Sequence, residues 1–181
     1  NKYIERDINK SIYYFTLASN NGNSFSQFFI GFLYYEGQYV PRDINKSIYY
    51  LTKAANQNLS CAQSLLGVIY YNNKYITRNI NKSIHYLTLA SDQNYDYAQY
   101  FLGKIYIKSK HAPKNIAKGI HLLTLSASKS NSLAQYLLGK IYIEGKIIPR
   151  DVTKSIHYLR LASNQNDTDS QLLLGIIYLI D

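Results

Sequence analysis

The hydrophobic positions of residues 60–93 form two helical stripes separated by a short polar loop. In residues 60–72, apolar side chains recur at i, i+4, i+7 and i+8, the spacing of one helix face. These side chains are Ala62, Leu66, Ile69 and Tyr70. A second stripe, over residues 79–93, comprises Ile80, Ile84, Leu87 and Ala90. The pattern predicts a pair of helices joined by the loop NKYITR.

The same pattern returns every 36 residues, without insertions, along the whole chain. A glycine inside the first predicted helix marks each copy: Gly31, Gly67, Gly103, Gly139 and Gly175. Series of Gln, Tyr, Lys and Ile keep the same step, beginning at Gln27, Tyr34, Lys10 and Ile12. A fixed period between 20 and 50 residues indicates a repeat architecture, in which each unit buries its apolar face against its neighbours.

The second helix of each copy has a clear start signal. Its candidate N-cap residue is always Asp or Asn: Asp7, Asp43, Asn79, Asn115 or Asp151. Such side chains accept hydrogen bonds from the free N–H groups of the first turn. Pro41, Pro113 and Pro149 precede three of these caps by two residues, where proline stiffens the approach without breaking a helix.

The recurring glycines need a structural reason, because a glycine inside a helix costs about 1 kcal/mol relative to alanine. We expect them to mark a close crossing of the two helices of a pair. Small residues on the second helix match them: Ser11, Ser47, Ser83, Gly119, Ser155, Ala18, Ala54, Ala90, Ser126 and Ala162. Leucines at 51, 87, 123 and 159 would fill the remaining space.

These residues resemble a known family. Gln63, Leu66, Gly67 and Tyr70, followed by Ser83, Leu87 and Ala90, are similar to the tetratricopeptide pattern. The period of 36 residues, and prolines between the two helices of a unit, point to its Sel1-like branch. The motif residues of that branch in one copy are Ala134, Leu138, Gly139, Tyr142, Gly145, Asp151, Lys154, Tyr158 and Ala162.

Repeat and resemblance together predict an all-α fold, a right-handed α-solenoid of stacked antiparallel helix pairs with a 36-residue period. The array is expected to fill residues 1–181. We divide it into a half repeat 1–21, full repeats 24–58, 60–94, 96–130 and 132–166, and a half repeat 168–181. Because position 1 is not methionine and both ends are half repeats, we expect a fragment of a longer protein with flanking repeats or domains.

Composition narrows the function classes. The single cysteine, Cys61, excludes an internal disulfide and a thiolate-rich zinc site, and fits a reducing, cytoplasmic location. The longest apolar run, residues 172–180, is shorter than the ~20 residues that span a bilayer. The formal charge of +9 would suit acidic proteins, anionic membranes or nucleic acid.

Sel1-like proteins are usually adaptors, and the resemblance implies a concave groove lined by the first helices. Variable positions that face this groove are the candidates for ligand contact. In the central copies they are Tyr97, Tyr100, Lys104, Lys108, Tyr136 and Lys140. Aromatic rings beside ammonium groups suit a peptide with acidic or C-terminal carboxylates flanked by apolar side chains. The alternative interpretation is that these rings pack between adjacent repeats.

A series of cations forms the second candidate. Arg6, Arg42, Arg78, Lys114 and Arg150 each precede a cap residue, and the Lys10 series follows four positions later. Such a stripe could dock on an anionic membrane or on nucleic acid. A solvated edge is favoured over nucleic-acid binding, because the lysine belongs to the repeat motif and Asp7, Asp43 and Asp151 offset part of the charge.

Neither a metal site nor a catalytic site is predicted. His85, His121 and His157 share one register, but equivalent residues in neighbouring repeats lie ~10 Å apart, too far to share an ion. Tyr13 and Tyr49 occupy the same register, so the position favours an aromatic ring. The residues show no nucleophile–base arrangement and no phosphate-binding loop. We therefore expect no cofactor and no enzyme activity.

The leading hypothesis is a scaffold that holds a peptide or partner domain in its groove. A basic surface that docks on anionic lipid or nucleic acid is the main alternative. A third alternative is an architectural arm between other domains, in which the groove residues would bind nothing.

Overall fold

Each predicted pair of stripes forms two α-helices in the computed structural model, which describes residues 7–72, 74–108, 110, 112 and 114–180. Arg6 and Pro113 lie outside the described residues. Within these ranges there are ten α-helices and no strands. The helices are α1 Ile8–Asn20, α2 Ser24–Glu36, α3 Ile44–Asn56, α4 Ser60–Tyr71, α5 Ile80–Asp92, α6 Asp96–Lys108, α7 Ile116–Ser128, α8 Ser132–Glu144, α9 Val152–Ser163 and α10 Thr168–Ile180. None of the described helices is both long and apolar enough to cross a membrane.

The five predicted N-caps are confirmed. Asp7, Asp43 and Asp151 each accept a hydrogen bond from the backbone N–H three residues later, at 2.9 Å in every case. Asn79 and Asn115 accept the equivalent bond at 3.0 Å. These bonds satisfy N–H groups that have no partner inside the helix, and so fix where each second helix begins.

The cap residues also close the loop within each pair. The N–H of Asp43 donates to the carbonyl of Tyr34 at 3.1 Å, and that of Asn79 donates to Tyr70 at 2.9 Å. Asp151 repeats the bond to Tyr142 at 3.0 Å. The start of the second helix is thereby tied to the last turns of the first, which holds the pair in one geometry.

The chain divides into two compact units, residues 1–90 and residues 91–181. In the first unit α2 packs on α3 and α3 packs on α4, with Leu51, Leu66 and Ile69 in the core. The predicted all-α solenoid of helix pairs is confirmed by this consecutive packing.

The second unit is built in the same way. Helix α6 packs on α7, α7 packs on α8, and α8 packs on α9, which in turn contacts α10. Leu123, Leu138 and Ile141 lie in its main core cluster. Leu159, Leu174 and Ile177 form a second cluster at α9 and α10.

A left-handed residue ends the second helix of each pair. The residues at this register are Gly22, Asn58, Asn94, Ser130 and Asn166, with φ between 62° and 86°. Asn tolerates this conformation better than most residues, which explains its recurrence. The sharp turn brings the next first helix back along the one just ended.

Four of the recurring glutamines join a first helix to the preceding second helix: Gln27, Gln63, Gln135 and Gln171. Gln63 Nε2 donates to the carbonyl of Ala55 at 3.2 Å, and Gln135 Nε2 donates to that of Ala127 at 3.0 Å. Both side chains are buried. They satisfy carbonyl groups near a helix end that the helix itself leaves unpaired.

The structure places four of the five glycines at a close helix crossing. A Cβ built on Gly31 would lie 2.7 Å from Leu51 Cγ, and one on Gly67 would lie 2.5 Å from Leu87 Cγ. Gly139 faces Leu159 in the same way, at 2.6 Å, and Gly103 would meet the carbonyl oxygen of Gly119 at 2.9 Å. Gly175 differs, because no atom lies within 4 Å of its Cβ position.

The glycines therefore allow a test in which alanine is expected to change the free energy of unfolding in opposite directions at two equivalent positions. We expect Gly139→Ala to lower the free energy of unfolding by roughly 1–3 kcal/mol, because the new methyl group overpacks the buried Leu159. We expect Gly175→Ala to raise it by up to about 1 kcal/mol, since alanine is the better helix former and nothing is displaced. Urea denaturation followed by circular dichroism measures both changes. If both variants shift stability in the same direction, the crossing explanation is wrong.

One copy of the glutamine contact is incomplete. Gln57 Nε2 donates to Gln27 Oε1 at 2.8 Å, and Gln165 Nε2 donates to Gln135 Oε1 at the same distance. The equivalent donor position for Gln99 is held by Lys129, whose ammonium group donates instead to the carbonyl of Asn94. Gln99 Oε1 is consequently buried without a hydrogen-bond partner among the described residues.

We expect Lys129→Gln to stabilise the protein by about 1 kcal/mol, because the amide supplies the missing donor to Gln99 Oε1. Lys129→Ala is the matched control, since it removes the same ammonium group and supplies no amide. The measurement is the difference between the two denaturation midpoints. Equal midpoints would show that Gln99 is satisfied in another way.

Candidate functional site

The six predicted groove residues all lie on the first helices of the second unit. Tyr97, Tyr100, Lys104 and Lys108 lie on α6, at steps of three or four residues that share one helix face. Tyr136 and Lys140 lie on α8 at the equivalent registers. We call this set of six residues the lysine–tyrosine face.

The three tyrosines differ in exposure. Tyr97 is 48% exposed and lies 6.2 Å from the ring of Tyr95. Tyr136 is half-buried. Tyr100 is only 9% exposed and belongs to the core cluster with Leu137 and Ile141. For Tyr100 the structure therefore agrees with the alternative interpretation, in which the ring packs between repeats.

Two lysines of this face lie near tyrosine rings. Lys104 Nζ is 5.7 Å from the ring centroid of Tyr100, and Lys140 Nζ is 5.9 Å from that of Tyr136. Both distances are within the range of cation–π attraction. The rings thus help to fix the two ammonium groups on this face.

Lys108 lies in a partly desolvated, like-charged environment. Burial lowers the pKa of Lys108 below its usual value, and the neighbouring charge of Lys140 lowers it further. Glu144 opposes this effect, and Lys104 adds to it. Glu144 is also 4.0 Å from Lys140 Nζ, the longest of the described ion pairs. Three ammonium groups therefore influence one another across α6 and α8.

A cleft adjoins this face between α8 and α10. Its walls are formed by Tyr136, Lys140, Ile143, Glu144, Asp169, Leu172, Leu173 and Ile176. Its volume is about 170 Å³. We call it the α8–α10 cleft. All of its residues except Leu173 lie in the groove registers that the repeat defines, but only Tyr136 and Lys140 were predicted as ligand contacts.

The first unit has a different surface at the same registers. Phe32 and Val68 occupy the register of Lys104, and Glu36 and Asn72 occupy that of Lys108. Phe25, in the register of Tyr97, is exposed. The cluster of lysines is therefore specific to the second unit, although both units share one scaffold.

The basic edge has a structural role in the copies that the structure describes. Arg42 donates from Nε to the carbonyl of Tyr35 at 3.0 Å and from Nη2 to that of Glu36 at 2.7 Å. Arg78 Nε donates to Tyr71 O at 2.8 Å. These carbonyls end the first helices, where cations are favoured. The predicted solvated edge agrees with the exposure of Arg42, but Arg42 and Arg78 also cap the preceding helix, a role that was not predicted.

The lysines of the edge also have partners. Lys10 and Lys154 each form an ion pair with their cap aspartate at 3.2 Å. The ammonium groups of Lys46, Lys82, Lys118 and Lys154 lie 4.9–5.4 Å from tyrosine rings of the first helices. Much of the charge along this edge thus contributes to internal contacts.

We expect Arg42→Lys to lower the free energy of unfolding by about 1 kcal/mol, although it preserves the charge. A single ammonium group cannot reproduce the planar fork that reaches both carbonyls. Thermal denaturation measures the loss, with Lys110→Arg on an exposed loop as control. An unchanged midpoint would show that the hydrogen bonds of Arg42 do not contribute to stability and that the arginines are solvated charges.

The histidine register lies on the surface of the second helices. His85 and His157 are exposed, and their rings lie 5.2 Å from Tyr86 and Tyr158, edge to face. Tyr49 makes the same contact with Tyr50 at 5.1 Å. Among the described residues no group of three or more His, Cys, Asp or Glu side chains is placed to hold a metal ion. Cys61 is half-buried, and burial raises the pKa of its thiol.

The fold is that of a repeat protein built from helix pairs, and the lysine–tyrosine face is the candidate binding site on it. The Sel1 repeat model matches residues 2–23, 24–59, 62–95, 96–131 and 132–167, which is most of the chain. The chain therefore belongs to the Sel1 repeat family. Members of this family are generally protein-interaction scaffolds, and the fold is typically non-catalytic.

Solved structures of similar fold agree with this assignment. A Sel1 repeat protein from Oxalobacter formigenes is 32% identical, with a TM-score of 0.86 over 97% of this chain and 51% of its own. The protective antigen c5321 of uropathogenic Escherichia coli strains is 22% identical, with a TM-score of 0.83 over 92% of this chain and 36% of its own. This chain thus spans about a third to a half of those proteins. Among curated proteins the comparison finds no match.

Proposed function

We propose that this chain is a non-catalytic adaptor that binds a protein or peptide ligand on the lysine–tyrosine face of the second unit. The observation that carries the proposal is the grouping of Lys104, Lys108 and Lys140 on α6 and α8, with the exposed Tyr97 on the same face of α6 and a partly apolar cleft adjoining α8. Concave surfaces that combine aromatic, apolar and a few polar groups are the usual ligand sites.

The division between recurring and variable residues supports this function. The recurring Gln, Gly, Arg and cap residues take part in internal contacts that every pair needs. Folding does not need a lysine at the register of Lys104 and Lys140, since Phe32, Val68 and Ile176 occupy it in other copies. The variable side chains are therefore available for recognition.

A basic surface that docks on an anionic membrane or nucleic acid is less well supported. The cations of the edge are bonded to helix-end carbonyls, to cap aspartates or to tyrosine rings, and so offer fewer free charges than their number suggests. The cytoplasmic location expected from the single cysteine stays a prediction.

The experiment is a selection of phage-displayed random dodecapeptides on the immobilised chain, followed by fluorescence anisotropy with synthetic copies of the enriched peptides. We expect Tyr97→Ala and Lys104→Ala each to weaken binding about 5–10-fold, through loss of aromatic contact and of a charge-assisted hydrogen bond. Lys146→Ala, on an exposed loop outside this face, is the matched control.

Salt dependence separates the two functions. Binding through two or three ammonium groups should weaken only modestly between 50 and 200 mM salt, whereas contact with many phosphates falls about 10³–10⁵-fold over that range. Failure to enrich any peptide, or equal losses in all three variants, would count against the groove. Tight, steeply salt-dependent binding to phosphatidylserine vesicles alone would favour the membrane alternative.

A further inference from the structure

We propose that the ligand is an acidic peptide segment with an apolar anchor residue, whose side chain enters the α8–α10 cleft while a carboxylate about three residues away meets Lys104 and Lys108. This inference rests on the proposed function and adds the chemical class of the ligand. It comes from the contrast between the apolar cleft and the cationic surface one helix away.

The cleft exists because the repeat changes at this point. Leu172 occupies the register that Tyr136 and Tyr100 occupy in the two preceding copies, and Ile176 replaces Lys140. Tyr136, on the wall of the cleft, is half-buried, whereas Tyr100, one copy earlier, is buried in the core cluster. Leu172 and Ile176 thus give the α10 wall of the cleft apolar side chains.

The size of the cleft suits one side chain. A cavity of ~150 Å³ accommodates a benzene-sized molecule, whereas pockets for drug-sized ligands measure ~300–1,000 Å³. The α8–α10 cleft, at about 170 Å³, falls near the lower figure. An aliphatic or phenyl side chain of a peptide fits this volume, and a larger cofactor does not.

The charges orient the ligand. Glu144 and Asp169 lie on the walls of the cleft, so a second carboxylate placed there would be repelled. Lys104 and Lys108, by contrast, form no ion pair with any carboxylate in the described part of the chain. Lys140 lies between the two regions and already faces Glu144 at 4.0 Å. A ligand carboxylate is therefore favoured over α6 and disfavoured at the cleft.

The spacing between the anchor residue and the carboxylate along the peptide follows from the positions of the cleft and of the lysines. Neighbouring helices in contact lie about 8–10 Å apart, and an extended peptide advances ~3.3 Å per residue. Lys140 and Glu144, on the wall of the cleft, are close enough for their charges to act on Lys108, so a carboxylate about three residues from the anchor is within reach of the lysines of α6. The direction of the peptide is left open by these side chains, because ammonium groups and an apolar cleft impose no polarity on its backbone.

The probes are labelled nonapeptides of Gly, Ser and Ala that carry one Leu and, three and four positions away, two Asp residues, made in both orders. We expect at least one of the two orders to bind, and Asp→Asn or Leu→Ala in that peptide to weaken binding at least tenfold in fluorescence anisotropy. Moving the Asp residues next to the Leu should weaken it similarly, since they then meet Glu144 and Asp169.

Protein variants test the same contacts from the other side. Leu172→Tyr restores the residue of the preceding copies and should fill the cleft, so that binding falls at least tenfold. Lys108→Glu should have an equal effect, and a peptide with Lys in place of Asp should recover affinity for that variant. Lys146→Glu makes the same charge change elsewhere and should change affinity less than twofold. Unchanged circular dichroism shows that each variant remains folded.

The outcomes separate the two proposals. If library-selected peptides bind on the lysine–tyrosine face but the designed nonapeptides do not, the ligand class is wrong and the adaptor function stands. Binding that survives both Leu172→Tyr and Lys108→Glu would also overturn the ligand class. If neither designed nor selected peptides bind, the proposed function fails as well.

Discussion

The close crossing of two helix backbones at a glycine is the constraint on which the rest of the structure depends. At Gly31, Gly67 and Gly139 the space of the missing Cβ is occupied by a buried leucine of the paired helix. The small residues opposite, such as Ser47 and Ser155, are fully buried for the same reason. With the pair held at this distance, the N–H of the cap residue reaches the tyrosine carbonyl of the first helix, so that crossing and loop closure require each other.

Because each helix pair is rigid, some residues hold the structure together and others are available for recognition. Glutamine amides, cap side chains and arginine guanidinium groups satisfy backbone groups at helix ends, where the helices leave carbonyls and N–H groups unpaired. Most of the described copies share these roles, and so their residues recur. The outward registers of the first helices have no such role, and they change from phenylalanine and valine in the first unit to lysine in the second. Recognition is therefore expected where the repeat is least regular.

The sequence was sufficient for the helices, their N-caps and the fold class, because these depend on local hydrogen bonds and on a period repeated five times. It was not sufficient to predict which side chains at the groove positions are exposed. Tyr100 and Tyr136 are equivalent in the repeat, yet Tyr100 is buried and Tyr136 is half-exposed, because the two rings pack against different clusters of the core. The arginine bonds to helix-end carbonyls were missed because a cation followed by a cap aspartate looks like a solvated edge. The cleft was missed because it results from a smaller residue, Leu172, and not from a chemically active one.

The distribution of charge matters more than its total. Of the excess positive charge, the edge lysines lie against tyrosine rings, and Arg42 and Arg78 are bonded to carbonyls, so that these groups are partly neutralised by the scaffold. Lys104 and Lys108 differ, because they lie on a partly buried face close to Lys140 and without a described carboxylate partner of their own. Bringing like charges together raises the free energy of the unbound protein. A ligand carboxylate would relieve that repulsion, and for this reason the small lysine cluster is a better candidate for specific binding than the longer basic edge.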